Sequence, residues 1–375
     1  MISHNLTLSG VGKIMDFKDF RVNNRLNTLN SADIEQIYTL IAEIDAIKNS
    51  WHISKQLSPR TIERLTHSVI VTSTASSNRI EGNKLTDQEV ENLYKNLHIK
   101  KLKSRDEQEV VGYLEVLKFI FNNYKDMPIT ESSIFQIHSE MLNYSDKDQS
   151  HKGRYKNSSN RVEARDFSGN LVGIIFEPTA PYLVKKEMHE LIDWYNLSAG
   201  EKAKHPLILI ANFIFEFLAI HPFQDGNGRV SRLLTNLMLL QTGYYFTTVV
   251  SNEKIVEDNK IDYYLALNKV QATWKTNKEN ITPWLIFFLT IVQIQANQAL
   301  TMLKNVDVEN LLSAKQLALW QWAAENESNE FSRKDAVNSL GFPERTVESC
   351  IKKLVELKKL QRIGEGKATR YKVIK

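Results

Sequence analysis

The sequence predicts a mainly α protein: a helical bundle carrying one β-hairpin, followed by a small domain of helices and two short strands. Apolar residues recur at helical spacing through most of the chain, as in Ile34, Ile37, Leu40, Ile41, Ile44 and Ile47. The one clear strand signal in the middle is Arg161 to Phe167 and Leu171 to Phe176, separated by the turn sequence Ser168-Gly169-Asn170. Charge shifts at the end, where residues 343–375 hold ten Lys or Arg against four Asp or Glu in a chain whose net charge is only +4. With 375 residues, 42% hydrophobic and 25% charged, the chain has ordinary globular composition and length for two domains or three.

Taken in order, residues 1 to about 30 are weakly patterned and read as an irregular arm. A helix is expected over Ser31 to Ile47, capped by Ser31 or Asp33, and a second over Pro59 to Ser73. Thr72 to Asn83 then places Ser77 and Glu81 on one helical face, and Gly82-Asn83 ends that helix. Judged alone, Ser77 to Gly82 is a surface helix end. Two helices are expected between Asp87 and Tyr124, joined by a basic, solvated loop at Lys100 to Arg105. Thr130 to Leu142 is amphipathic. His138 and His189 read as core or half-buried helix residues, because neither has neighbours at metal-ligand spacing. Pro206 to Ile220 is apolar on nearly every face, the pattern of a helix inside a bundle. Ile261 to Ala272 and Pro283 to Met302 read as further core helices. The apolar runs Leu207 to Ile220 and Trp284 to Ile294 fall short of a bilayer span, so a soluble protein is expected. The start of the chain shows no signal-peptide core. Cys350 stands alone, which excludes a disulfide framework and a cysteine zinc site and fits a reducing cytoplasm.

Chemistry concentrates in His221 to Arg232, H-P-F-Q-D-G-N-G-R-V-S-R. Pro222 stops the apolar helix, leaving His221 at its end beside a turn. Asp225-Gly226-Asn227-Gly228 can turn successive N–H groups into one concavity, an anion nest. A new helix opens at about Gly228 or Arg229, its N-terminus adds partial positive charge, and Arg229 and Arg232 at i and i+3 share a face beside it. A proton acceptor, a hard-cation ligand, a glycine nest and two phosphate-matching guanidiniums in one short stretch exceed what a structural turn requires. Phe223 reads as a core anchor.

This stretch resembles the signature of Fic-domain proteins, H-P-F-x-[DE]-G-N-G-R-x-x-R, at every fixed position. The resemblance implies transfer of AMP from ATP to a Ser, Thr or Tyr hydroxyl of a target protein or of the chain itself. His221 would be the general base, and Asp225 would hold Mg²⁺. Gly226, Asn227 and Gly228 would cradle phosphates that Arg229 and Arg232 neutralise. Ser77-Asn78-Arg79-Ile80-Glu81-Gly82 is similar to the family's inhibitory pattern [ST]-x-x-x-E-[GN], which implies that Glu81 pairs with Arg232 and inhibits in cis. The hairpin is similar in place to the family's flap, which holds a target segment as an added strand; a purely structural hairpin stays open. Tyr263, Tyr264 and Asn268 follow the signature where the family places nucleotide-contacting residues. Removal of AMP, with Glu81 orienting a water, also stays open.

The organisation implied is an N-terminal extension with the inhibitory helix (1–105), a Fic catalytic core (106–305) and a C-terminal domain (306–375). The last, with helices over Ser313 to Asn326, Ser332 to Ser339 and Glu344 to Lys358 and strands around Gly364-Glu365-Gly366, looks like a winged helix-turn-helix. Such a domain contacts DNA through its third helix and basic wing, here residues 343–375, or serves protein contact and homodimer formation. Glu344, Glu348 and Glu356 interrupt the supposed recognition helix. The rival function is a DNA-binding regulator whose Fic domain only senses nucleotide. No membrane partner is implied.

Overall fold

Helices carry almost all of the regular structure in the computed structural model, which describes residues 18, 20–51, 59–96, 102–160, 162–165, 171–202, 204–310, 312–325, 330–364, 366 and 369–374. The chain divides into two compact units, one up to Ala299 and one from Leu300 onward.

In the first unit a short helix α1 (Arg21–Asn24) is followed by α2 (Ser31–Ser50). The cap of α2 is Asn30, whose side chain accepts from the Asp33 N–H; neither Ser31 nor Asp33 takes that place. α3 (Pro59–Ile80) is one continuous helix where the sequence suggested a break near Ser73. Its residues Ser73, Thr74, Ser76, Ser77 and Asn78 are buried, so a polar stretch that looked like a surface end runs through the interior. α4 (Asp87–Asn96) and α5 (Arg105–Asn123) follow, then α6 (Glu131–Met141), with Ser104 and Thr130 as the caps of the last two. β1 (Val162–Arg165) pairs antiparallel with β2 (Leu171–Phe176), from Val162 opposite Phe176 to Arg165 opposite Leu171. The expected turn at Ser168-Gly169-Asn170 lies outside the described residues.

α7 (Pro181–Gly200) opens with its proline in the first turn, where the missing N–H costs nothing. His189 lies on its exposed side, paired with Asp193 at 3.3 Å, so the reading of that residue as half-buried is corrected. α8 (Pro206–Ile220) has every residue from Leu207 to Ile220 buried, as its all-round apolar pattern requires. After it come α9 (Asn227–Gln241), α10 (Asn252–Asp258) and α11 (Lys260–Gln271). α12 (Thr282–Asn310) closes the unit. By length and composition its segment Thr282–Leu303 is long enough to cross a membrane, unlike the shorter run counted from sequence. Leu285, Leu289, Val292, Ala296 and Ala299 form a stripe buried in the first unit, the pattern of a bundle helix with one face inward.

The second unit contains α13 (Ala314–Glu325), β3 (Glu330–Phe331), α14 (Arg333–Leu340), α15 (Glu344–Glu356), β4 (Leu360–Ile363) and β5 (Arg370–Val373). The strands form one antiparallel sheet in the order β3-β5-β4. α14 starts with a reciprocal Ser332–Asp335 capping box and ends at Gly341. Phe331, Val347, Ile351, Leu354 and Leu360 make this unit's own core.

Leu237→Ala, in the wholly buried side of α9, is expected to cost about 2–5 kcal/mol of first-unit stability in urea denaturation. Tyr182→Ala, at the exposed start of α7, should stay within about 0.5 kcal/mol. Equal losses would contradict this placement of the core.

Candidate active site

α8 ends on His221, which takes up a left-handed conformation (φ 53°, ψ 61°) with its main-chain N–H bonded to Phe217 O at 2.9 Å. The imidazole Nδ1 lies 3.2 Å from Leu218 O. A carbonyl only accepts, so Nδ1 carries the proton and Nε2 keeps a free lone pair. Below it the loop is locked. The Phe223 ring is buried and stacked on His138 at 3.7 Å. Gly153 N–H donates to His138 Nδ1 at 2.9 Å, so Nε2–H of His138 donates to Asp225 O at 3.1 Å. The Asn227 side chain bonds both the N–H and the carbonyl of Phe223, each at 2.8 Å. Its amide therefore builds the loop, and only its main chain remains for a ligand.

Gly226, at φ 81°, takes the conformation that lets α9 begin at Asn227. The first N–H groups of a helix have no acceptor inside it, and here they border buried guanidiniums. Arg229 and Arg232 are almost wholly buried. Arg229 lies 3.4 Å from Glu109 and 3.6 Å from Asp225. Arg232 donates to Ser77 Oγ at 2.8 Å, Ser77 O at 3.0 Å and Glu81 Oε1 at 2.8 Å. Ser77 therefore holds Arg232 directly and does more than steady the helix that bears Glu81. Arg229 Nε, Arg229 Nη1 and Arg232 Nη1 are buried with no hydrogen-bond partner among the described residues. Unsatisfied cationic donors at a helix N-terminus are a site for an anion.

Glu81 occupies part of that site. A Cβ on Gly228 would overlap the Glu81 carboxylate, so the carboxylate takes this position because Gly228 has no side chain. Burial pushes the Glu81 carboxyl up, but Arg232 and then Arg229 hold it below the ordinary range. Asp225, in the same balance, is raised by burial and lowered further by Arg229, the Gly226 N–H and Arg105. Arg105, which the sequence suggested was part of a solvated loop, opens α5 and pairs with Asp225 at 3.1 Å and with Glu109 at 2.7 Å. No group of three potential metal-binding side chains exists among the described residues. The ionised, partly exposed Asp225 beside a phosphate-sized nest suits Mg²⁺, which takes one carboxylate and fills its shell with phosphate oxygens and water.

Residues 128–239 match the Fic/DOC family. The chain is similar to the protein adenylyltransferase Fic of Nematostella vectensis, with 31% identity over 214 residues, 56% of this chain and 44% of that protein. The chain spans less than half the length of such curated relatives. Its fold is similar to that of a Fic family protein from Desulfovibrio desulfuricans G20, at a TM-score of 0.57 and 23% identity, covering 92% of this chain and 97% of that one. Fic-1 from C. elegans gives a TM-score of 0.57 at 20% identity, covering 76% and 77%. At these identities the solved structures speak for the fold alone.

Within the first unit the structure brings together His221, Asp225, Gly226, Gly228, Arg229, Arg232, Ser77 and Glu81. Tyr263 is buried, and its hydroxyl is acted on by Arg232 and Glu81, so it joins the same site. Tyr264 is half-exposed near both charges. Asn268 lies one helical turn beyond it, exposed, and no contact places it at the site. Arg105, Glu109, His138 and Lys156 were not assigned to the site from sequence, because each meets the loop from far away in the chain.

Burial pushes both His221 and His138 down to about 4 from the usual 6.5. The unfolded chain takes up these protons as pH falls below about 6.5 and the folded chain does not, so stability is intact above that pH and is lost as it approaches 4. For the fully buried His138 the effect is on the order of 3 kcal/mol. The melting temperature should therefore drop between pH 7 and 4.5, and His138→Gln should flatten part of that drop. A melting temperature constant over this range would contradict the neutral, buried state of His138.

Proposed function

We propose that this chain is a protein adenylyltransferase that transfers AMP from ATP to a Ser, Thr or Tyr hydroxyl, of a target or of itself, and that Glu81 restrains it in cis. The observation that carries this reading is the Glu81 carboxylate seated over Gly228 on Arg232, where a nucleotide's terminal phosphate would otherwise lie. The incoming hydroxyl gives its proton to Nε2 of His221 as its oxygen bonds the α-phosphorus of ATP. The bond from that phosphorus to the bridging oxygen breaks, and pyrophosphate leaves. His221, held neutral at pH 7, offers a lone pair throughout. Arg229, Arg232 and the N–H groups at the start of α9 are placed to balance charge gathering on the leaving group. Asp225 would hold Mg²⁺, which when bound supplies Lewis-acid polarisation of phosphate oxygens. Tyr263 closes the site beneath Arg232.

Releasing the restraint should raise the rate. Glu81→Gly is expected to speed transfer of AMP from ATP by roughly tenfold to over a hundredfold, the range of one charged hydrogen-bonded contact of about 1.5–3 kcal/mol. Arg232→Ala should be inactive with or without Glu81→Gly, and His221→Ala should abolish transfer while keeping ATP affinity in calorimetry. Intact-mass analysis of the Glu81→Gly protein with ATP and Mg²⁺ reads both the reaction and the added group. An unchanged rate on a target that the unsubstituted protein modifies would remove the inhibitory role of Glu81.

For the second unit we propose contact with duplex DNA through the basic residues of α15. Arg345, Ser349 and Lys352 form an exposed stripe on α15, offset from Glu344 and Glu348, which pair with Arg333 at 3.1 and 3.5 Å. Those acids thus need not oppose phosphate on the basic face. The full chain should bind duplex DNA with an affinity that falls steeply as salt rises, and Arg345→Ala with Lys352→Ala should weaken it. Absence of binding at low salt would leave the unit for protein contact.

A further inference from the structure

His221 sits between two anchored peptide groups, and one residue outside the signature anchors both. The Lys156 main-chain N–H donates to Pro222 O at 2.8 Å, while its ammonium donates to Ile220 O at 3.3 Å and to Asn160 Oδ1 at 2.6 Å. Asn160 then donates from Nδ2 to Phe223 O at 2.7 Å. The carbonyls before and after His221 are thus held from one short segment ahead of the hairpin. A left-handed, non-glycine residue costs about 1–2 kcal/mol, so His221 does not keep this conformation unaided.

Lys156 is also the one lysine buried among the described residues. Its acidic neighbour Glu187 is engaged by Lys275 at 2.6 Å. A buried ammonium without its own carboxylate is expensive, and an apolar side chain of the same length would fill the space at less cost. The cation therefore calls for a reason beyond packing.

We propose that Lys156 is a positioning residue for the transfer reaction, fixing the main chain on both sides of His221 so that Nε2 faces the incoming hydroxyl. This inference rests on the reading of His221 as the proton acceptor. The groups acting on His221 besides the Leu218 carbonyl are Lys156, Glu81 and Asp225. After burial itself, the Lys156 charge works against protonating the imidazole, whereas Glu81 and Asp225 favour it. Lys156 is pushed down to about 8 by burial, with Glu187 and Lys275 acting in opposite directions. It is therefore cationic at neutral pH and supplies that charge where His221 must stay neutral.

The test compares the full chain with Lys156→Met, Lys156→Arg and Asn160→Ala, using NMR of the histidine ring nitrogens, with the His221 signals assigned through His221→Gln. Lys156→Met should raise the His221 titration midpoint by a unit or more and turn its single Nδ1–H tautomer into a mixture. Lys156→Arg should retain both. Asn160→Ala, which leaves the charge in place, should mix the tautomers with little change in midpoint. In the Glu81→Gly background, Lys156→Met should lower kcat at least tenfold with the KM for ATP unchanged. If His221 keeps its tautomer and midpoint in folded Lys156→Met, the positioning role is refuted. Should that variant fail to fold, an unchanged tautomer in Asn160→Ala refutes it instead. Absence of any AMP transfer by the Glu81→Gly protein would remove the transferase reading alone, because the NMR comparison does not depend on turnover.

Discussion

A buried arginine needs an anion, and in this protein the anion is supplied by the end of a distant helix. Arg232 is fixed by Ser77 through both its hydroxyl and its carbonyl, and it reaches Glu81 at 2.8 Å. The pair is only partly buried, the Glu81 side chain being 38% exposed, so the contact is worth about 1.5–3 kcal/mol. Another anion can therefore take the place of Glu81. Glu81 and any other anion thus compete for one cation, and the absence of a side chain at Gly228 leaves room for the Glu81 carboxylate beside it.

A second charge network holds the opposite end of the site's scaffold. Arg21 and Arg25 both bond Glu216 and Glu279, and Arg25 adds Asn212. Glu216 and Asn212 are the two residues that interrupt the apolar run of α8, and they face the N-terminal segment. This network ties α8 to the segment at α1 and to the stretch before α12. α8 itself ends at His221, ahead of Pro222, so charges well away from that loop anchor the helix that carries it.

What was legible in the sequence was local. The periodic helices, the hairpin and the signature stretch could be read because their signals lie within one turn or one loop. The Ser77 to Glu81 pattern was readable only through its resemblance to a family motif, since it looks like a solvated end although Ser77 and Asn78 are in fact buried. Arg105 with Asp225, His138 with the Asp225 carbonyl, and Lys156 with the peptides around His221 left no trace, because pairing across the fold imposes no spacing on the chain. At Lys100 to Arg105 a basic cluster suggested a solvated loop, and Arg105 is exposed but also reaches the Asp225 carboxylate at 3.1 Å. In the second unit the acids of α15 seemed to break a basic surface, and only the folded positions show that Arg333 pairs with two of them.

The magnitudes also decide how the restraint is lifted. α3 buries Val69, Ile70, Val71, Ala75 and Ile80, and full burial of each larger apolar side chain contributes about 1.5–3 kcal/mol. Its last turn is further held by Arg79, bonded to Glu257 at 2.6 Å and Asp87 at 2.8 Å, and by Lys260, which donates to Ile80 O at 2.8 Å. Pulling the helix away would forfeit all of this to break one contact worth about 1.5–3 kcal/mol. Rotating the Glu81 side chain forfeits only the contact itself. Glu81 lies just past the end of the helix, before Gly82 at φ 98°, so its side chain can turn without unwinding α3. The helix is thus the fixed part of the device and the carboxylate its moving part: α3 stays packed in the core while the partly exposed Glu81 side chain at its end can turn.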